Sequence, residues 1–495
     1  MAKQGILGKL KPSAGTDTLL YSAPIDASAS TVLNVTAQGG SGTTYDVILK
    51  DYDQKLTVDA STYLLHEGDV ITNYRFNLNQ PIGIDAALQP STLLTSTDGE
   101  STAKFESFFI PDFTTITVRD RSIRAISVES VTDTFVVGDV ITKGASPNDT
   151  TATVYAVEDV SGSSNLYVGP STINGSGTEF NDGDALTASG GATGTISVSG
   201  VGTAGDEFTL QESGGTENLF LGDQITIFTD RTYRFDVSDS SMSGRDFKLS
   251  ETVNGEWGPD GDFTVVEDNG TEYTDGKTTN GTAGSPGAYI QYDLTANPAI
   301  STTIYFYDGG TGTASNANYG GSDRQIQTTS DASYDSIFVY DLDGAAWTAG
   351  SDGFEFNGAT YTVNSVNAAP YGYVRSYSGT TLYVIKGVGS ADFAGTDTFK
   401  DCPLGSTVSR SEVTVSSVDV ATTAHEAEDV IRNAKTISAN ATDEIKSLVI
   451  GPAQRVLVNN AAADCSFVLV GFEDNSTAFA TRVFTGSAAD AAASN

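Results

Sequence analysis

Nucleophilic, metal-assisted and general acid–base chemistry draw mainly on histidine, cysteine and paired carboxylates, and this 495-residue chain is poor in the first two. His66 and His425 are its two histidines. Neither has a nucleophile or a metal-ligand partner at an informative spacing, so no Ser-His-Asp or Cys-His mechanism is expected. Cys402 and Cys465 lie far apart, with no CxxC knuckle and no disulfide framework, and two buried thiols are the expectation. Carboxylates abound, 63 in all, yet no pair stands out as a glycosidase would require. Asp51 and Asp53 fall at a strand end and are expected to face solvent. The run DLDGAAWTAGSD, residues 341–352, opens like an oxygen-ligand Ca²⁺ loop. Its glycine comes too early and no glutamate closes it, which leaves a turn. GGSG and GGTGTAS lack the helix and the lysine of a phosphate cradle. No catalytic residue, cofactor or metal is expected.

Recognition has one candidate. In APYGYVRSYSG, residues 369–379, Tyr371, Tyr373 and Tyr377 with Arg375 could stack on sugar rings or form a protein interface. Strand-edge packing is the plainer alternative.

These side chains must be positioned by strands. The chain holds 52 Gly, 21 Tyr and 23 Phe against 26 Lys plus Arg. β-Branched and aromatic residues suit pleated strands, and Gly, Asn and Asp supply the turns between them, so the chain reads as all-β. One turn recurs: HEGDVIT ending at Thr72, FVVGDVIT at Thr142, FNDGDALT at Thr187 and FLGDQIT at Thr226. Glycine tolerates φ > 0 and aspartate bonds back to nearby amides, so Gly68-Asp69, Gly138-Asp139, Gly183-Asp184 and Gly222-Asp223 are expected to be structural turns leading into strands. Their uneven spacing excludes a strict solenoid or propeller. Residues 423–437, TAHEAEDVIRNAKTI, place Ala427, Val430, Ile431 and Ala434 on one helical stripe and predict the one short helix, near the C-terminus.

Serial β-sandwich and small β-hairpin modules follow from this punctuation. They are an N-terminal sandwich and candidate anchor over 1–115, Gly-Asp modules over 116–228, a sandwich over 229–320, a β-rich module over 321–420, and the helix with a C-terminal β unit over 421–495. Hairpins are expected at both ends, around STVLNVTAQGGSGTTYDVILK and QRVLVNNAAADCSFVLVGF. A net charge of −37 repels nucleic-acid phosphate and anionic membranes, so neither is an expected partner. The opening MAKQGILGKLKPSAG has no apolar signal stretch, and no run of about 18 apolar residues could span a bilayer. Synthesis in the cytoplasm without a signal peptide is expected.

RTYRFDVSDSSMSGRDFKLSET, then GTEYTDGKTTNGTAGSPGAYIQYDL, then TTIYFYDGG resemble a cupredoxin-type sandwich found in structural proteins of marine phages. In those relatives a histidine stands at the position of Arg245, and Cys, Ser, Asn, His and Met follow the strand that ends after Tyr307. Here these positions hold Asp308, Gly309, Gly310, Thr311 and, for Met, about Ala314, so the resemblance implies a sandwich without its copper. The opening residues and the FVVGDVIT modules are similar to virion structural proteins of contractile-tailed phages of marine cyanobacteria. The resemblance implies a homo-oligomeric appendage or decoration protein of the head or tail, localised to the virion and bound to other virion proteins. A receptor-binding tail fibre that holds host surface glycans is the alternative within that class. A polysaccharide depolymerase is the alternative outside it.

Overall fold

The protein is all-β, as its composition predicts, with 3-10 turns as its only helical elements among the described residues. A computed structural model describes residues 3–59, 65–83, 88–160, 163–219, 225–260, 269–297, 299–310, 321–400 and 412–481. Two compact units divide the chain, 1–110 with 333–495 and 111–332.

The Gly-Asp turns form as expected at Gly68-Asp69, Gly138-Asp139 and Gly183-Asp184, while Gly222-Asp223 lies outside the described residues. In each, glycine has positive φ, 90°, 91° and 81° in turn. The Asp69 carboxylate accepts from His66 N at 2.7 Å, that of Asp139 from Val136 N at 3.0 Å and that of Asp184 from Asn181 N at 2.6 Å. The turn is then pinned to one residue of a neighbouring strand. Gly138 N donates to Val154 O at 2.9 Å and Val154 N returns a bond to Asp139 O at 2.8 Å. Gly68 and Asp69 grip Val374 in the same way, and Gly183 and Asp184 grip Ile196. Val154, Val374 and Ile196 are all buried β-branched residues. Three residues before each glycine a buried apolar side chain, Leu65, Phe135 or Phe180, anchors the approach.

Three more clips carry the same bonds in other residue types. Thr396-Asp397 grips Val415, with Ala394 N donating to the Asp397 carboxylate at 2.6 Å. Gly350 and Asp352, with Ser351 between them, grip Val363, and Thr348 N donates to the Asp352 carboxylate. Ser91-Thr92 grips Phe105, with the Thr92 hydroxyl replacing the carboxylate and accepting from Gln89 N at 3.0 Å. Phe393, Trp347 and Leu88 are the buried anchors.

The clips occur two to a barrel. In barrel 1, Thr114–Thr132 pairs Ser163–Val168, and the ring continues through Asn148–Val160, Val140–Ala145, Ala185–Ala188 and Thr193–Val201 back to Thr114–Thr132. Barrel 2 runs Gln54–Val58, Thr381–Lys386, Tyr371–Ser378, Val70–Thr72, Thr398–Lys400, Glu412–Val420 and back. Asn73 Nδ2 donates to Thr398 Oγ1 at 2.7 Å where its two clip strands meet. Barrel 3 runs Arg75–Gly83, Ser333–Gly344, Ser101–Phe108, Leu93–Thr95, Gly353–Phe356, Ala359–Asn367 and back, closed by a bridge from Ser96 to Phe354. The order around the ring and along the chain is the same in all three. The described residues thus form three six-stranded barrels of one topology, each with its two clip strands side by side.

The barrels are nested. Barrel 3 is inserted between Val70–Thr72 and Tyr371–Ser378 of barrel 2, and residues 111–332 are inserted between Ser101–Phe108 and Ser333–Gly344 of barrel 3. The chain ends enclose everything else. Strands Gln4–Leu10, Cys465–Asp474, Ser28–Ala37 and Thr442–Ile450 form one sheet, and Thr18–Ser22, Arg455–Asn460, Thr43–Lys50 and Val430–Ile437 the other. The two ends therefore build one sandwich rather than a separate unit at each end. The expected hairpins are also replaced. Ser28–Ala37 and Thr43–Lys50 belong to opposite sheets, so the Gly-rich turn crosses between layers and lets Leu33, Val35, Tyr45 and Val47 meet in one core. The helix expected over 423–437 is absent. Ala427–Asp429 is a 3-10 turn held by the Asp429 carboxylate, and Val430–Ile437 is an edge strand against Thr43–Lys50.

In the inserted unit, the first half of Thr114–Thr132 leaves barrel 1 and joins a second sandwich. It lies between Gly205–Glu212, antiparallel, and Thr232–Asp236, parallel. The facing sheet runs Ile225–Phe228, Gln325–Thr329, Thr303–Asp308 and Phe247–Ser250 around a core that includes Phe208, Phe235, Phe247, Tyr292 and Phe306.

Clip chemistry sets measurable stabilities. Thr396 and Ser91 hold φ of 80° and 72°, a conformation glycine adopts freely, so Thr396→Gly is expected to stabilise the unit that contains barrel 2 by about 1 kcal/mol in urea unfolding. The Asp139 carboxylate accepts from Val136 N, Ser189 Oγ and Gly190 N. Burial pushes its pKa up, but these bonds outweigh it and hold the group below its usual range. Asp139→Ala is expected to cost roughly 1–3 kcal/mol near neutral pH. A depressed folded pKa gives stability above the unfolded value and loses it as pH falls through the folded one, so the gap between wild type and variant should close at acid pH.

Candidate functional site

The tyrosine-rich segment is a strand, and two of its four candidate residues face inward. Tyr371 and Tyr373 lie on Tyr371–Ser378 of barrel 2, and both are 3% exposed. They pack with Tyr340 of barrel 3, Ile385 of barrel 2 and Ala453 of the terminal sandwich, where the three bodies of this unit meet. Tyr74 and Tyr340 present their edges to Tyr371 and Tyr373 with centroids 6.3 Å apart in each pair. The Tyr373 hydroxyl donates to Asp341 Oδ1 at 2.5 Å, and burial followed by the Asp341 charge pushes its pKa far up. The Tyr371 hydroxyl donates to Val388 O. Neither ring is available to stack on a sugar. Both faces of the strand are covered here: Val374 points into the core of barrel 2, and Tyr371 and Tyr373, on the other face, are covered by residues of barrel 3 and the terminal sandwich. Arg375 is half-buried, bound to Asp51 at 2.9 Å and to Glu67, and Tyr377 packs partly against the barrel core. Tyr371 and Tyr373 thus belong to a packing junction, in keeping with the packing alternative.

Two of the positions at which the cupredoxin resemblance would place copper ligands, Arg245 and Asp308, come together, holding different chemistry. Arg245 Nε lies 2.8 Å from Asp120, Nη2 3.0 Å from Asp206 and Nη1 3.8 Å from Asp308. Asp308 Oδ1 accepts from Asp246 N at 2.9 Å and Gly310 N at 3.0 Å. A guanidinium among carboxylates offers copper no soft donor, and a positive charge opposes a cation. Thr311 and Ala314 lie outside the described residues. Among the described residues, no cluster of three His, Cys, Asp or Glu side chains is placed to hold a metal ion.

Other groups with chemical potential take structural posts. Asp53 is buried, contrary to the solvent exposure expected at its strand end. It forms an ion pair with Arg455 and accepts from Lys386 N at 2.6 Å, and burial raises its pKa. Nearby Lys50, fully buried, donates to the carbonyls of Asp53, Ala421 and Ala424 at 3.0, 3.2 and 2.7 Å, and burial lowers its pKa to about 8. This pair of charged centres ties the terminal sandwich to barrel 2. Sequence spacing carried no sign of it, because Lys50, Asp53 and Arg455 meet only through tertiary pairing. In DLDGAAWTAGSD, Trp347 to Asp352 is a clip, in line with a turn there. His425 Nδ1 lies 2.5 Å from Asp17 Oδ2, and His66 supplies a backbone amide to the Asp69 clip. Cys465 is buried with a free thiol, and Cys402 is outside the described residues.

Placement at the junction separates structural from binding roles for the tyrosines. Tyr373→Ala is expected to cost about 3–5 kcal/mol and Tyr373→Phe about 1 kcal/mol, read as urea midpoints, since the first empties a core site and the second removes one hydrogen bond. No protein-family model, curated protein or solved structure was found to match the chain.

Proposed function

We propose that the chain is a structural component of a phage particle, an appendage or decoration protein on the exterior of head or tail, held there by other virion proteins. The observation that carries this reading is the threefold use of one clip-pinned barrel within a single nested chain. Such a design yields rigid bodies that display loops at fixed positions, as a particle surface requires. The acidic, solvated exterior suits a protein exposed at high local density. The resemblance of the opening residues and the FVVGDVIT modules to virion proteins of marine cyanophages supports the same assignment. Tyr371 and Tyr373, two of the four residues proposed for glycan recognition by a tail fibre, are buried, which favours the structural reading.

Mass spectrometry of particles purified by density gradient tests the proposal. Peptides from both units should band with the capsid proteins in a fixed ratio. Their confinement to the soluble fraction of the infected lysate would overturn it.

A further inference from the structure

The outer face of one sheet in the terminal sandwich departs from the rest of the surface. Residues paired across a sheet share a face. One row there is Gln4, Phe472, Ser30 and Val449, and the next is Ile6, Val470 and Val32, ending beside Ser447. Ile6, Val449 and Phe472 are 65%, 62% and 54% exposed, and Val470 is exposed beside them. A solvated sheet face is ordinarily polar, whereas here Gln4 and Ser30 stand among five apolar residues, Phe472, Val449, Ile6, Val470 and Val32. The members of these two rows carry no charge, in a chain of net charge −37, and exposed Lys446 stands beside Ser447 in the register shift where the second row ends. The row below runs Lys9, Val468, Asn34, Glu444, with a cation at one edge and an anion at the other.

A shallow depression of about 500 Å³ opens on this face, lined by Ser30, Val32, Ser447, Leu448, Val449 and Val470. Ser447, at φ 57°, stands in the register shift that creates it. Ile6, on the opposite edge strand, projects without a partner socket of its own.

We infer that this face binds the same face of a second copy of the chain about a two-fold axis parallel to the strands. Such an axis sets edge strand Gln4–Leu10 of one copy over Thr442–Ile450 of the other. Ile6 then meets the depression at Ser447, Val470 meets Val32, and Lys9 meets Glu444, each contact occurring twice as an isologous interface requires. Charge selects the occupant. Two copies of so acidic a chain repel over most approaches, and the uncharged rows flanked by complementary edges give the approach that avoids it. Within its own chain Glu444 has the exposed Lys446 at 3.2 Å, a pair of little strength that leaves the carboxylate free to serve both.

Oligomeric state in solution tests this independently of any role in a particle. Sedimentation velocity of the full chain should give twice the monomer mass. Ile6→Glu and Val470→Glu should each give a monomer that keeps the native β circular-dichroism spectrum, since both side chains lie outside the core. Lys9→Glu should weaken association roughly tenfold, and addition of Glu444→Lys should restore it. A wild-type chain that stays monomeric at about 100 μM would overturn the inference. So would a dimer indifferent to Ile6→Glu and Val470→Glu.

Discussion

One residue gripped by one turn is the contact on which the described barrels depend. A glycine amide and an aspartate carbonyl form a two-bond clasp on a buried residue of the next strand, and the aspartate carboxylate closes the turn on itself. Each bond is modest in net worth, but a lost one would strand a buried amide or carbonyl at a cost of about 1–3 kcal/mol. Because the gripped residue is also a core residue, the clasp fixes register and packing together. Val154 cannot slip by one position without turning its side chain out of the core of barrel 1 and breaking both bonds. Two clasps per ring, on adjacent clip strands, fix where the sheet closes.

The clasp is a matter of backbone geometry, and its side-chain requirements are looser than a motif suggests. Any residue that tolerates positive φ can take the first position and any short acceptor the second, so Ser91-Thr92 and Thr396-Asp397 work where Gly-Asp is absent. This explains which part of the fold was legible in the sequence. Gly68-Asp69, Gly138-Asp139 and Gly183-Asp184 could be read because both positions held the residues best suited to them. The buried aromatic or aliphatic residue three places earlier was the signal that would have joined the others to the set. Pairing between residues hundreds of positions apart left no local trace, so neither the shared terminal sandwich nor the burial of Asp53 by Arg455 could be seen. The helix expected at 423–437 failed for a related reason. Its stripe of Ala427, Val430, Ile431 and Ala434 fits period 3.6, but Tyr52 donates to Asp429, holding the turn, and the unpaired edge of Thr43–Lys50 captures the β-branched residues that follow.

The same tertiary logic displaced the candidate site. Tyrosine suits a sugar platform because it is flat, rigid and amphipathic, and these properties equally suit a junction where three bodies meet and each hydroxyl must find an acceptor. Sequence cannot distinguish the two uses, since they differ only in what packs above the ring. Tyr340 and Asp341, which decide the matter for Tyr373, come from another barrel.

Nesting follows from closure. A disordered insertion between two strands of a ring adds about 0.6 kcal/mol for every doubling of the loop, so one of several hundred residues would weigh against barrel 2. Barrel 3 avoids that cost because its first and last strands are ring neighbours. Arg75 pairs with Asn367, so the insert leaves and returns at one point. Barrel 2 offers the terminal sandwich the same economy, with Lys55 of its first strand opposite Val420 of its last. In barrel 3, Phe108 and Ile337, which flank the inserted unit, are likewise paired. A closed ring pinned by its own clasps therefore serves both as an insert and as a host, which is why one barrel could be placed inside another without either losing its register.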